Sequence, residues 1–355
     1  MGKLAVNKLF YFISILFTFF ILIFTIISYF AGNIDPNINI NAAYVSLIKP
    51  LLIIINIVLF IYWTIRWKYW AAVPLIGLMF CMNYITAMYK IYTPTKYSSD
   101  SKISVLTYNV HSFGREITGY SAKEFLKIAN NKRVDVLCFQ EYDSSSDVFT
   151  NEDIYNLFST IYPYSYIPAN KSMAIYSKFP IIDTQIIEFE KTNNGGIWAD
   201  IDIKGYKIRV ISVHMQTTSF DRLRSKVAKA EEKNDQESKK DLYVEYYSGS
   251  MEDNIKKRAN QAKKVASIVN STEMPVILCG DFNDTPETYT YNKLKGYLED
   301  GFKTAGKGYA ATYKGLHNLL RIDYIFYSPS LQPITYETLD FDMSDHNPVC
   351  MELGL

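Results

Sequence analysis

The sequence V-I-L-C-G-D-F-N-D at residues 276–284 decides the fold of the larger part of this 355-residue chain. Its four apolar residues predict a short buried strand, and Gly280 permits a sharp exit from that strand. Asp281 and Asn283 follow two positions apart, a spacing that can bring both polar side chains to one point. A plain turn has the same composition, so the segment predicts either a turn or a loop that carries chemistry at a strand end.

Short β-branched runs of this kind alternate with stretches of helical periodicity from Lys102 onward. Strands are predicted at 103–108, 134–139, 172–177, 197–203, 207–214, 276–280, 323–327 and 348–352. Helices are predicted at 122–130, 154–161, 255–270 and 289–295. Because few helices separate many strands, the pattern predicts an α/β (α+β) domain of two sheets packed face to face with helices outside.

Three other predicted strands end in a polar side chain. Asn109 follows the strand 103–108, Gln140 and Glu141 follow 134–139, and His214 ends 207–214. Taken singly, each has an ordinary structural explanation as a turn residue, a solvated carboxylate or a structural histidine. A carboxylate is also the ligand type that Mg²⁺ prefers, since this hard cation takes one or two carboxylates and keeps several waters.

Two further motifs lie about twenty residues apart near the carboxyl end. Asp323 lies in R-I-D-Y-I (321–325), and Asp345 and His346 lie in S-D-H-N-P (344–348). His346 is one of only four histidines and precedes a strand that Pro348 begins. An aspartate that orients and charges a histidine makes the imidazole a candidate general base or a cation for phosphate.

These motifs together resemble one known family. The series consists of T-Y-N (107–109), Q-E (140–141), V-H-M-Q (213–216), G-D-F-N (280–283), R-I-D-Y-I (321–325) and S-D-H-N-P (344–348). In this order it resembles the endonuclease/exonuclease/phosphatase superfamily over essentially all of residues 102–355, and G-D-F-N with S-D-H is the specific part. The resemblance implies a four-layer sandwich of two packed mixed sheets flanked by helices, and Mg²⁺- or Mn²⁺-dependent cleavage of a phosphoester.

The resemblance also implies a metal site and a base. Glu141 would be the principal metal ligand, with Asn109 and Asp345 close to the metal. Asp281 would orient or deprotonate the attacking water. How the role of general base divides between Asp281 and His346 stays open at this point.

The remaining residues would act on the phosphate. The resemblance implies that Asn283 holds the scissile phosphate. It also implies that His346, oriented by Asp323, and His214 contact phosphate oxygens and stabilise the developing charge. A metal and positioned donors that neutralise charge in the transition state are the physical basis of such catalysis.

The first 91 residues have a different character. Three apolar stretches, at about 9–30, 45–65 and 70–89, match the roughly 20 residues of helix that cross a bilayer. We therefore expect three transmembrane helices in a membrane region 1–91, a polar linker at 92–101 and a catalytic domain at 102–355. The first stretch is longer than the apolar part of a signal peptide and lacks a small-residue cleavage site, so we expect it to be retained.

Basic residues beside the apolar stretches predict the orientation. Lys3 and Lys8 precede the first stretch, and Arg66 and Lys68 lie between the second and the third. Lysine and arginine are retained on the cytoplasmic side, so three crossings place the catalytic domain on the periplasmic or extracytoplasmic face, in a bacterial inner membrane.

The balance of acidic and basic residues after position 91 indicates the class of substrate. Residues 1–91 contain six basic and one acidic side chain, which leaves 31 basic and 35 acidic residues after position 91. Affinity for nucleic acid rests largely on lysine and arginine, so this balance favours a lipid headgroup, a nucleotide or another small phosphoester. An extracytoplasmic nuclease is the alternative, and a catalytically silent membrane scaffold is a third hypothesis.

The four cysteines fall in apolar runs without C-x-x-C or C-x-x-H spacing, which predicts oxygen ligands rather than a zinc site. The segment 217–254 departs from the strand pattern because it is dense in charges and poor in apolar residues. It predicts either an exposed helix with many ion pairs or a lid that follows His214.

Overall fold

The computed structural model describes residues 2–355 apart from 92–100, 145, 191, 193, 219 and 233–235. It divides the chain into two compact units. The first, here called the membrane unit, consists of Met1–Ala87 and Pro286–Asn292. The second, the catalytic unit, consists of Met88–Thr285 and Lys293–Leu355. The predicted linker 92–101 lies outside the described residues except for Ser101.

The amino-terminal part of the membrane unit is helical. Its helices are α1 (Gly2–Ala31), α2 (Ile40–Leu47), α3 (Lys49–Ile65), α4 (Ala72–Phe80) and α5 (Met82–Met88), with a 3₁₀ turn at Tyr69–Ala71. Within α1, the 26 residues Val6–Ala31 are long and apolar enough to cross a membrane.

The other two predicted transmembrane helices are not continuous. Helices α2 and α3 meet at a bend of 50°, and the stretch Tyr69–Phe80 meets α5 at 57°. Pro50 lies in the first turn of α3, where its missing N–H and its ring prevent one helix from running through from α2. Nothing in the structure explains the second break. In the part of the chain that the structure describes, the prediction of three spans is therefore replaced by one clear span, with up to three if each bent pair crosses as one.

Polar side chains join the membrane-unit helices to one another. The indole of Trp63 donates to the hydroxyl of Thr18 at 2.9 Å, and the amide of Asn56 donates to Thr25 at 3.0 Å. All four side chains are buried. In a lipid bilayer, burial of apolar surface does not favour association of helices over contact with lipid. Hydrogen bonds between side chains of different helices favour association there.

In its described residues, the catalytic unit contains two six-stranded sheets. Its strands are β1 (Tyr89–Lys90), β2 (Lys102–Asn109), β3 (Val136–Gln140), β4 (Tyr164–Tyr166), β5 (Met173–Ser177), β6 (Ile181–Glu188), β7 (Gly195–Ile203), β8 (Tyr206–His214), β9 (Val276–Asp281), β10 (Glu299–Asp300), β11 (Gly308–Tyr309), β12 (Asp323–Tyr327), β13 (Gln332–Thr338) and β14 (Val349–Gly354). One sheet has the order β10-β12-β9-β8-β7-β6 and the other β13-β14-β2-β3-β5-β4, while β1 pairs with β11. The pairs β8–β9 and β2–β3 are parallel and the others antiparallel, so both sheets are mixed.

Helices and single helical turns connect these strands. They are α6 (His111–Gly114), α7 (Tyr120–Asn131), α8 (Asn151–Ser159), α9 (Phe220–Glu232), α10 (Gln236–Glu245), a π-helical turn Tyr246–Ser250, α11 (Met251–Asn270), α12 (Tyr289–Lys295), α13 (Gly301–Ala305) and α14 (Gly315–Asn318).

One apolar core fills the space between the two sheets. Val105 and Val136 of one sheet and Val210 and Ile277 of the other belong to the same buried cluster. A second cluster, rich in aromatic rings, packs α7 and α8 on the outer face of the β2-containing sheet through Phe125 and other side chains. Successive side chains of a strand point to opposite faces of its sheet, so one set lies in the core between the sheets and the other lies under the outer helices. Two packed mixed sheets flanked by helices are what the sequence predicted.

All eight predicted strands are present, within three residues of the predicted bounds. Strands β6 and β13 were not predicted because each is the edge strand of its sheet. In β6, the sequence I-I-D-T-Q-I-I-E has only one buried residue and does not give a clean apolar alternation. The predicted helices correspond to α7, α8, α11 and α12, and the described residues of the segment 217–254 are helical from Phe220 onward.

Candidate active site

Three neighbouring strands of one sheet carry the centre of the site in a single row. His214 on β8 is paired with Asp281 on β9, and Asp281 is paired with Asp323 on β12. His214 and Asp281 are the last residues of their strands, and Asp323 is the first residue of its strand. The apolar residues of these strands are buried. The register of the sheet therefore places one imidazole and two carboxylates next to one another.

The other sheet contributes an amide that reaches across to this row. The Asn109 side chain at the end of β2 donates to Glu141 Oε1 at 3.2 Å and to Asp281 Oδ2 at 3.1 Å. Asn109 is 1% exposed, and its Oδ1 accepts from the backbone N–H of His111 at 3.1 Å. Both the nitrogen and the oxygen of the Asn109 amide are hydrogen-bonded, so the amide has one orientation. It therefore restrains the separation of the Glu141 and Asp281 carboxylates.

Asp281, like Asp323, is an almost completely buried carboxylate of the site. Its Oδ1 accepts from the backbone N–H of Asn283 at 2.9 Å, and its side chain is 1% exposed. Burial, opposed by the charge of His346, raises the pKa of Asp281 to about 6. A carboxylate with a pKa in this range is ionised at neutral pH and is still basic enough to accept a proton.

His346 is held by the carboxylate of Asp323. Its Nδ1 lies 2.9 Å from Asp323 Oδ2, and its Nε2 lies 3.8 Å from Asp281 Oδ2. Burial disfavours the charged imidazole, but the negative charges of Asp323 and Asp281 outweigh it and raise the pKa of His346 to about 10. His346 is therefore an imidazolium at neutral pH. Thr312 Oγ1 accepts from the Asp323 backbone N–H at 3.0 Å and fixes that strand end.

His214 approaches the same carboxylates from the other side. Its Nε2 lies 3.8 Å from Glu141 Oε1 and 3.7 Å from Asp281 Oδ2. The two histidines thus flank Asp281 with their Nε2 atoms.

Asn283 contacts Asp281 through its side-chain amide. Its Nδ2 donates to Asp281 Oδ2 at 3.1 Å and to the backbone oxygen of Met215 at 3.0 Å. Both amide hydrogens are engaged, so in this conformation Asn283 orients Asp281. To hold a phosphate it would have to release one of these bonds. Its φ of +51° is in the left-handed region, which asparagine tolerates better than most residues.

His111 is a site residue that the sequence analysis did not single out. Its Nδ1 lies 3.2 Å from Glu141 Oε2 and 3.6 Å from Asp345 Oδ1. The hydrogen bond to Glu141 raises the pKa of His111. Burial of Glu141 is outweighed by the His111 hydrogen bond and the charge of His214, which lower the pKa of Glu141 to about 2.

A left-handed turn positions His111. Residues 111–115 all have φ between +45° and +71°, and only Gly114 among them is a glycine. Such a turn costs about 1–2 kcal/mol per non-glycine residue, so it persists only where its surroundings impose it. Its one sequence signal is the combination of His111, two residues after Asn109, with Gly114.

Asp345 lies at the open side of the site, with 44% of its side chain exposed. Ser344 Oγ donates to the backbone oxygen of Asn109 at 2.8 Å and lies 3.3 Å from Asp345 Oδ1. The S-D-H motif is thereby joined to the end of β2. A continuous set of contacts connects all eight predicted site residues: Asn109, Glu141, His214, Asp281, Asn283, Asp323, Asp345 and His346.

Among the residues that the structure describes, two groups of side chains in the site are candidates to hold a metal ion. Asp281, Asp323 and His346 have ligand atoms within 4.8 Å of one another, but they are buried and the His346 Nδ1 atom is engaged with Asp323. Glu141 and Asp345 are more open and both approach one point, the Nδ1 atom of His111. Hard oxygen ligands with room for water suit Mg²⁺ or Mn²⁺, so the donor set fits such an ion at Glu141 and Asp345 beside Asn109.

Arg321, in the R-I-D-Y-I motif, has a structural position. Its guanidinium donates to both carboxylate oxygens of Asp300, at 2.8 and 2.6 Å, and neither side chain is exposed. The bidentate pair fixes the chain just before β12, two residues from Asp323.

Comparison with family models identifies the larger part of the chain. A model described as the Endonuclease/Exonuclease/phosphatase family matches residues 106–346. The chain belongs to the Endonuclease/Exonuclease/phosphatase family. Members of this superfamily are typically hydrolases that act on phosphoesters, and they typically depend on a divalent metal. A second model, a domain of unknown function (DUF8431), matches residues 7–88.

Solved structures share the fold of this family member. D. rerio TDP2 complexed with a single-strand DNA product has 16% identity and a TM-score of 0.52, over 72% of this chain and 100% of its own. An endonuclease/exonuclease/phosphatase family protein from Bacteroides thetaiotaomicron has 18% identity and a TM-score of 0.50, over 72% of this chain and 96% of its own. A search of curated proteins gives no match. At these identities the likeness establishes the fold alone.

Proposed function

We propose that this protein is a membrane-anchored, divalent-metal-dependent phosphoesterase whose catalytic domain lies outside the cytoplasm. Its substrate is a phosphodiester or phosphomonoester of a lipid headgroup, a nucleotide or another small molecule. The observation that carries the proposal is the bridge of Asn109 between Glu141 and Asp281, because it joins a candidate metal ligand on one sheet to a buried base on the other.

The oxygen ligands Glu141 and Asp345, with Asn109 beside them, would hold Mg²⁺ or Mn²⁺. When bound, the ion supplies positive charge that offsets the charge developing on the phosphate oxygens. Asn109 keeps Glu141 oriented, and His111 keeps Glu141 ionised well below neutral pH. Glu141 is therefore ionised and oriented for a cation in the absence of a bound ion.

Asp281 is the better candidate for the base that deprotonates or orients the attacking water. At neutral pH its pKa of about 6 leaves it ionised, whereas the pKa of about 10 leaves His346 protonated and without a free lone pair on Nε2. The two pKa values support Asp281 rather than His346 in the base role, which the sequence left open between them. Asn283 holds the Asp281 carboxylate in the direction from which it would accept the proton.

His346 and His214 would bind the phosphate oxygens. Both present Nε2 within 4 Å of Asp281, and His346 carries a positive charge maintained by Asp323. Fixed donors in a largely buried site stabilise developing charge without reorganisation, and loss of one such donor typically costs about 10²–10³ in kcat.

The substrate class rests on the charge and on the membrane region. The part of the chain after residue 91 has 35 acidic and 31 basic side chains, which is a poor basis for holding a polyanion. Val6–Ala31 is long and apolar enough to anchor the protein beside lipid headgroups. The basic flanks Lys3, Lys8, Arg66 and Lys68 support a catalytic domain on the extracytoplasmic side.

The test is a hydrolysis screen of the full chain in detergent with Mg²⁺ or Mn²⁺. It compares a chromogenic phosphodiester, a phospholipid and sphingolipid panel, small nucleotides and plasmid DNA. We expect release of phosphate or headgroup from a small or lipid substrate, abolished by a chelator and reduced at least about 100-fold in Glu141→Gln. Asp147→Asn, an exposed carboxylate outside the site, is the control.

Two results would contradict the proposal in different ways. Unchanged metal-dependent hydrolysis in Glu141→Gln would remove the assigned mechanism. Cleavage of plasmid DNA with no activity on the other substrates would establish the nuclease alternative.

A further inference from the structure

Three consecutive residues of the catalytic unit, 312–314, lie between two motifs of the site and are called here the bridging strip. On one side the strip is bonded to the R-I-D-Y-I motif and the residue before it. The first two N–H groups of the strip donate to the backbone oxygen of Leu320 at 2.9 and 3.2 Å. The hydroxyl of Thr312 accepts from the backbone N–H groups of Ile322 and Asp323, both at 3.0 Å. The strip therefore fixes the beginning of β12.

On its other side the bridging strip is bonded to the S-D-H-N-P motif. The backbone oxygen of Thr312 accepts from the N–H of Asn347 at 2.6 Å, and the N–H of Lys314 donates to the backbone oxygen of Asp345 at 2.8 Å. The middle residue of the strip is paired with His346 in an antiparallel bridge. The same three residues thus hold the backbones of both motifs that contribute to the contact between Asp323 and His346.

The side chain of Tyr313, the middle residue of the strip, packs on the imidazole of His346. The centroids of the two rings are 5.2 Å apart, and their planes are inclined at 60°. Both residues are buried. On the phenol ring, a Cβ atom added at Gly315 would lie 2.2 Å from Cε1 and 2.4 Å from Cζ of Tyr313. The phenol ring is therefore enclosed, and it contacts the histidine without space to withdraw past Gly315.

The contact with Tyr313 restrains a motion of His346 that Asp323 does not restrain. The Nδ1 atom of His346 lies 2.9 Å from Asp323 Oδ2, and this one contact fixes an edge of the imidazole but not the plane of the ring. An aromatic ring packed beside the imidazole fixes that plane, because the imidazole cannot turn without displacing it. The direction of Nε2, which lies 3.8 Å from Asp281 Oδ2, depends on both restraints.

We propose that Tyr313 is a positioning residue of the phosphoesterase site, which fixes the ring plane of His346 while Thr312 fixes the strand end that carries Asp323. The inference deepens the proposed function and rests on it for its catalytic consequence. The orientation of the imidazole does not depend on what the enzyme hydrolyses, so it can be tested without a substrate.

The orientation is tested by NMR of the full chain in detergent, labelled with ¹³C at the histidine rings and measured at one fixed pH. The chain has only four histidines, so the His346 resonance can be identified by its loss in His346→Gln. An adjacent aromatic ring shifts the resonances of the ring beside it. We therefore expect the His346 resonance to move in Tyr313→Leu and to stay near its wild-type position in Tyr313→Phe. Tyr164→Leu, at an exposed tyrosine of the edge strand β4, is the control.

Catalysis gives the second reading on the same proteins. Displacement of a catalytic group by about 1 Å can cost about 100-fold in rate, so we expect Tyr313→Leu to lower kcat by at least about tenfold with little change in KM. Tyr313→Phe, which keeps the ring, should retain most of the wild-type kcat.

The hydroxyl of Thr312 is tested in the same way. Thr312→Val removes the acceptor for the two backbone N–H groups at the beginning of β12 and should also lower kcat, whereas Thr312→Ser keeps the acceptor and should recover most of it. Thr184→Val, on the edge strand β6, is the matched control. All variants are compared at matched monodispersity in detergent, so that a failure to fold is seen separately.

Gly315→Ala serves if Tyr313→Leu fails to fold. Its added methyl group has to displace the phenol ring, so it should move the His346 resonance and lower kcat with Tyr313 still present. Combined with Tyr313→Leu it should cause little further loss, because residues that act through one contact are not additive.

A His346 resonance that stays at its wild-type position in folded Tyr313→Leu or Gly315→Ala would overturn the proposal. A wild-type kcat in folded Tyr313→Leu would overturn it as well. An inactive wild type would refute the proposed function instead, and the NMR result would still decide whether Tyr313 orients the imidazole.

Discussion

The Nδ1 atom of His346 lies 2.9 Å from Oδ2 of Asp323, and both side chains are almost completely buried. The pairing joins the S-D-H motif to the end of β12 across 22 intervening residues. It makes the protonation of His346 depend on a neighbouring carboxylate, and this dependence can be measured.

Replacing Asp323 with Asn should move the alkaline limit of activity. His346 is needed in its protonated form, so wild-type activity should fall as the pH rises through about 10. Without the Asp323 carboxylate the pKa of His346 falls, and the limit should move towards neutral pH. The measurement is the pH dependence of kcat on a chromogenic phosphodiester. An alkaline limit at the same pH in both proteins would contradict the assignment.

Activity should also fall on the acid side. Asp281 acts as a base only when it is ionised, and its pKa of about 6 means that the active fraction decreases as the pH falls through about 6. The profile of kcat should lose about tenfold for each pH unit below that point. Thermal unfolding at pH 5 serves as the control, because an unfolded protein would mimic the loss. A rate that stays constant from pH 5 to 8 would exclude Asp281 as the base.

Gly280→Ala should destabilise the catalytic unit strongly. An added Cβ would lie 2.0 Å from the Val213 backbone oxygen, in a residue whose φ is +132°. We expect a loss of about 3–5 kcal/mol, seen as a lower midpoint of thermal unfolding. Gly205→Ala is the matched control, since Gly205 also has a positive φ, +94°, but a Cβ there meets nothing within 4 Å. Equal effects at the two glycines would show that contact with Val213 is unimportant.

The buried pair of Arg321 and Asp300 should matter for stability rather than for chemistry. Arg321→Met leaves the Asp300 charge buried without its partner and should cost about 3–5 kcal/mol. Asp300→Asn added to Arg321→Met should recover part of this loss, because the unpaired charge is then removed. The folded fraction should retain its kcat. Lys127→Met, in an exposed pair with Glu124, should leave the unfolding midpoint unchanged.

Protease added to spheroplasts should digest the catalytic domain and leave a tag at the amino terminus protected. The reason is the retention of Lys3, Lys8, Arg66 and Lys68 on the cytoplasmic side. Digestion of the tag only after detergent lysis is the control for intact membranes. Full protection of the catalytic domain in intact spheroplasts would reverse the proposed orientation.

Much of the fold was accessible from sequence because buried strands are continuous apolar runs. Strands β3 and β9 are of this kind, whereas β2 and β8 contain several polar residues. Polar residues at the end of these four strands, or directly after it, marked the site. Edge strands such as β6 lack this signal because solvent accepts polar residues along them.

Other features depend on tertiary contacts. Nothing local identifies His111 as a site residue, since its left-handed turn forms only against Glu141 and Met343. The double engagement of Asn283 with Asp281 and Met215 likewise depends on a segment 68 residues away. The bend before α3 had a visible cause in Pro50, whereas the break between α4 and α5 has none.

The bridge from Asn109 to Asp281 also has a consequence for how the protein folds. Its two residues are 172 positions apart, and they meet only after β8 and β9 have paired and the two sheets have docked. Long-range pairings of this kind form late because the closing of a long loop costs entropy before any contact compensates it. During refolding, helical content should therefore return well before enzymatic activity, and the recovery of activity should report the completion of the sheets.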